Sequence, residues 1–93
     1  MRVRVDRMAN QPIGREIELA DLPVDLACRV ERHLSPCRLD SFGNHIDVAD
    51  AAAQLTWQRS TGTRQFLLSE AVHPPEIFQT FHELVHEIAR YDA

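Results

Sequence analysis

The sequence predicts an α+β domain: a four-stranded antiparallel sheet of two hairpins, with two helices packed on one face. Two stretches, 2–19 and 55–69, alternate apolar and polar residues at the period of half-buried strands, and each is interrupted by turn residues. Each is followed by a segment whose apolar residues recur at helical spacing. A chain of 93 residues has room for one domain, 1–93, with one modest core and little interior left for a deep pocket.

The first strand is predicted over Arg2 to Arg7, with Val3 and Val5 on one side and Arg2, Arg4 and Asp6 on the other. Met8-Ala9-Asn10-Gln11-Pro12-Ile13-Gly14 follows as a longer loop with turn residues at Asn10, Pro12 and Gly14. Alternation resumes from Arg15 to Leu19, placing Ile17 and Leu19 inward. Pairing the two runs sets Arg2 and Arg4 beside Glu16 and Glu18, opposite charges on neighbouring strands.

Asp21-Leu22-Pro23 is a predicted helix start, with Asp21 as the cap and Pro23 in the first turn. Leu22, Leu26, Val30 and Leu34 then recur every four residues, and Asp25 and Arg29 are spaced to pair on the wet side. Pro36 ends the helix. Within 37–52, Ser41-Phe42-Gly43-Asn44 is turn chemistry, and His45-Ile46-Asp47-Val48 reads as either a short strand or an extended loop.

The second hairpin pairs Leu55 and Trp57 with Phe66 and Leu68. A four-residue loop over Ser60–Thr63 would set Trp57 opposite Phe66 and Leu55 opposite Leu68. Pro74-Pro75 opens the last helix, whose stripe of Ile77, Phe78, Phe81, Leu84, Val85 and Ile88 is the pattern of a helix packed on a sheet.

Charge narrows the function classes. Fourteen acidic residues against ten basic ones give a net charge of −4, and all ten basic residues are scattered arginines. A phosphate backbone needs a basic stripe, so nucleic acid is not an expected partner. MRVRVDRM lacks the apolar run of a signal peptide, and no run is long enough to span a bilayer, so no membrane association is expected. Cys28 and Cys37 form no CxxC and are too few for a disulfide framework, so reduced thiols in the cytoplasm are expected.

One motif carries catalytic chemistry on its face. His82-Glu83-Leu84-Val85-His86 is an HExxH, the spacing that puts two imidazole ligands for zinc on one helical face with a general-base Glu between them. Four observations weigh against a peptidase site. Only seven residues follow His86, leaving Glu87 and Asp92 as downstream third ligands, while His45 and His73 upstream would require another architecture. Leu84 and Val85 already commit the helix to the core. The chain leaves little room to wall a substrate cleft around a metal, and its five His and seven Glu carry a real risk of a chance match. The expectation is therefore no enzyme, no catalytic residue, no cofactor and no metal ligand. Whether His82 and His86 hold a metal adventitiously stays open. A minimal zinc hydrolase on His82, Glu83 and His86 is the alternative reading, and an acidic interaction protein of the phage or toxin-neutralising kind is another.

The order of elements resembles the emfourin-like family, small bacterial protein inhibitors of thermolysin-like metalloproteases such as protealysin. The resemblance is carried by Val3-Arg4-Val5-Asp6-Arg7, the loop closing on Gly14, Arg15-Glu16-Ile17-Glu18-Leu19, the Asp21-Leu22-Pro23 helix start, a turn-linked hairpin, and Leu68-Ser69-Glu70-Ala71-Val72-His73-Pro74-Pro75 before the last helix. It implies a monomeric inhibitor that plugs the cleft of a protealysin-like enzyme. The family tends to carry a Gly-rich loop after the first strand, where this chain has Met8, Ala9, Asn10, Gln11, Pro12, Ile13 and Gly14; these seven are the expected partner-binding residues. Met8 and Ile13 are apolar for a loop. They either contact the partner or fold back on the core.

Overall fold

A computed structural model describes residues 1–34, 51–70 and 73–91. The predicted strand or loop over His45–Val48, together with Cys37, lies outside the described residues. Strands β1 (Arg2–Met8), β2 (Gln11–Glu18), β3 (Ala53–Arg59) and β4 (Gly62–Leu68) form one antiparallel sheet in the order β2-β1-β3-β4. Helix α1 (Val24–Leu34) lies between β2 and β3, and helix α2 (Pro75–Tyr91) follows β4.

The alternation in the sequence sorts the two faces of the sheet. Val3, Val5, Ile17, Leu55, Trp57, Phe66 and Leu68 are buried against Leu26, Val30 and Leu34 of α1 and Phe81, Leu84 and Ile88 of α2 in one core. Full burial of each such side chain contributes roughly 1.5–3 kcal/mol, so this layer supplies the main drive to fold. The Trp57 indole is fully buried, and its Nε1–H donates to the Leu34 carbonyl at 2.7 Å, which satisfies a backbone acceptor at the end of α1. The other face of the sheet is polar. Arg2 bonds both Glu16 and Glu18, as the predicted register requires, and Asp6 accepts from Arg4 and from Thr56.

Four sequence-based expectations are corrected. The first loop is a tight turn of Ala9 and Asn10 only, because Met8 pairs with Gln11 and β2 starts there. The register shifts at Asp6: Ile13 and Gly14 together face it from β2, and on the β3 side it falls between the pairs Val5–Leu55 and Arg7–Gln54. This bulge resets the alternation, so that Met8 rather than Arg7 turns inward. The second hairpin also closes on two residues, Ser60 and Thr61, so Leu55 faces Phe66, Trp57 faces Arg64 and Ala53 faces Leu68. A slip of two residues keeps every side chain on its predicted face while changing its partner.

The other two corrections concern α1. Asp21 lies in a 3-10 turn over Leu19–Asp21, and α1 begins at Val24, with the Ala27 N–H bonding the Pro23 carbonyl as its first turn closes. Arg29 reaches across to Glu83 of α2 and does not pair with Asp25.

Candidate functional site

Two places concentrate the residues singled out by the sequence: the end of the first hairpin and the groove between the helices.

At the hairpin end, Ala9 of the tip is held by Ala52 and by Arg7. The Ala9 N–H donates to the Ala52 carbonyl at 2.7 Å, and the Ala52 N–H in turn donates to the Leu68 carbonyl at 2.7 Å. Arg7 donates to the Ala9 carbonyl at 2.8 Å and to the Ala51 carbonyl at 3.3 Å. Ala9 takes a φ of 54°, the left-handed value that two-residue hairpin turns require at a central position. Gly14, at φ 64°, sits where the β2 side of the bulge also requires it.

The seven predicted contact residues separate into two groups. Ala9, Asn10, Gln11, Pro12 and Gly14 are exposed, whereas Met8 and Ile13 are half-buried and pack against the core. The apolar character of Met8 and Ile13 is therefore explained by the bulge, which turns them inward. Arg7, Ala51 and Ala52 were not singled out by sequence reasoning. The contacts of Arg7 with Ala51 and of Ala9 with Ala52 span more than forty residues, for which the local pattern carries no signal.

In the second place, α1 and α2 run antiparallel and are joined by two polar bridges. His33 and Thr80 are 2.8 Å apart, and because the Thr80 hydroxyl donates to the Glu76 carbonyl, the Nδ1–H of His33 is the donor between them. Nearer the other end, both terminal guanidinium nitrogens of Arg29, Nη1 and Nη2, engage the Glu83 carboxylate. This hydrogen bond holds Arg29 above its usual pKa. Beside the bridge is an open groove lined by Asp25, Arg29, His82, Glu83, His86 and Glu87. Both histidines of the HExxH are exposed, on the side away from Leu84. The Glu that would act as general base is committed to Arg29, and among the described residues no three His, Cys, Asp or Glu form a metal-holding group.

His73, raised by the sequence as an upstream third ligand, is buried beside Phe66, with ring centroids 5.5 Å apart. Its Nδ1 accepts from the Ser69 N–H at 3.0 Å, and burial lowers its pKa below the ordinary 6.5. That places it in the structural turn before α2. Cys28 is exposed on α1. Among the described residues, no helix is long and apolar enough to cross a membrane.

Fold and geometry together define a small α+β domain with a braced hairpin tip and an open interhelical groove. No family model, no curated protein and no solved structure matches the chain.

Proposed function

We propose that the chain acts by binding another protein and not by catalysis: it is a stoichiometric inhibitor of a thermolysin-like metalloprotease, with the exposed tip Ala9–Pro12 as its leading contact. The observation that carries this reading is the bracing of the tip by Arg7, Ala51 and Ala52. An ordered tip enters a cleft without the ordering cost that a flexible loop incurs, roughly 0.5–1.5 kcal/mol per immobilised side chain. β2 is also an edge strand of the sheet, so its outer backbone groups are available to a partner that binds extended chain. The target class rests on the sequence resemblance. In this reading the free chain is a cytoplasmic monomer.

The commitment of Glu83 to Arg29 favours this reading over a zinc hydrolase at 82–86. The contact set is tested by replacing Asn10, Gln11 and Pro12 with Ala together, measuring inhibition of a thermolysin-like protease and thermal stability side by side. The expected result is weaker inhibition at an unchanged melting temperature, with Thr61→Ala at the opposite end of the sheet leaving inhibition intact. If the triple variant inhibits as well as the parent, the tip is not the contact.

A further inference from the structure

His82 and His86 lie four residues apart on α2, both exposed and both lining the same groove. Side chains at this spacing are neighbours on a helix surface, about 5–6 Å apart at Cβ. Among the described residues, no hydrogen bond or ion pair engages either imidazole; the one ring contact is a T-shaped one between His82 and Phe81, 5.8 Å between centroids. Arg29, the positive charge lining the groove, is balanced by Glu83, while Asp25 adds negative charge and Glu87, also on the groove, pairs with Arg90.

We infer that His82 and His86 form a two-imidazole chelate for a divalent transition-metal ion, independent of the hairpin tip and without hydrolytic activity. Imidazole pairs suit Zn2+, Ni2+ and Cu2+, and affinity rises along the series to Cu2+. Glu83 is paired with Arg29 and stands outside the proposed two-imidazole ligand set. No third His, Cys, Asp or Glu among the described residues completes a group, so solvent fills the other positions and a chelator strips the ion readily. The chelate requires α2 to be helical, so binding stabilises the folded state.

The test is calorimetric titration and thermal unfolding of the full chain with ZnCl2, CuCl2 and MgCl2, repeated on His82→Ala and His86→Ala. The expected result is one ion per chain and a raised melting temperature with Zn2+. Cu2+ should bind more tightly, and Mg2+ should have no effect. Each single variant should keep the parent's metal-free melting temperature and lose affinity on the order of tenfold or more. An equal response to Mg2+ would assign the effect to the carboxylates of the groove and overturn the inference. So would full Zn2+ binding in either variant, or no binding by the parent.

Discussion

The guanidinium of Arg29 on α1 closes on the carboxylate of Glu83 on α2, so the Glu of the HExxH serves as a link between helices. Both side chains are about two-fifths exposed, and a pair this open is screened by solvent and salt. Arg29→Ala and Glu83→Gln are each expected to lower the melting temperature slightly, by an amount that shrinks as NaCl is raised. Thermal unfolding at low and high salt checks this, and a loss that does not change with salt would point to packing instead.

The hydrogen bond from Trp57 to the end of α1 contributes more to stability than the exposed ion pair does. Trp57→Phe removes the donor and leaves the buried Leu34 carbonyl without its indole partner. The expected loss is about 2–3 kcal/mol, from the unsatisfied acceptor and the space left by the smaller ring. Urea denaturation followed by circular dichroism should show a lower midpoint with an unchanged slope.

Two positions in the first hairpin predict effects of opposite sign. Gly14 has a positive φ and open space where a Cβ would stand, so Gly14→Ala is expected to cost about 1 kcal/mol through backbone conformation alone. Ala9 has a positive φ with the Cβ already present, and Ala9→Gly is expected to gain a similar amount. Chemical denaturation of both variants measures the difference, and the same sign for both would contradict the described turn.

His73 gives the fold a pH dependence. Burial lowers its pKa, so the unfolded chain takes up the proton first as pH falls below 6.5. Its contribution is therefore complete above 6.5 and is lost as pH falls from there through the lower folded value. Melting temperatures between pH 8 and pH 5 are expected to fall more steeply in the parent than in His73→Asn, whose amide oxygen can still accept from the Ser69 N–H. Parallel profiles would remove His73 as the source.

The strands, their faces and the two apolar helix stripes were legible because each depends on spacing alone. Val3, Val5 and Ile17 mark one side at period two, and Leu26, Val30 and Leu34 mark a helical stripe. What spacing could not show was a change of period. At the bulge, Asp6 and Arg7 stand as two polar residues in a row between Val5 and Met8, a pattern that reads equally as the end of a strand, so the passing of the inward side to Met8 was not legible. The second hairpin's register was similarly hidden, since a two-residue slip leaves every face intact. Arg29 illustrates a third limit. Asp25 is its visible neighbour in sequence, while its actual partner lies 54 residues away. At the hairpin end, the exposed Asn10 and Pro12 were legible as turn chemistry, but the braces from Ala51 and Ala52 come from across the sheet.

The proposed action of this domain is to bind and block a thermolysin-like protease. The most direct measurement is a titration of the purified chain into such an enzyme while peptide cleavage is followed. The account predicts loss of protease activity near an equimolar ratio with the added chain left intact. Undiminished cleavage at molar excess, or digestion of the chain, would contradict it.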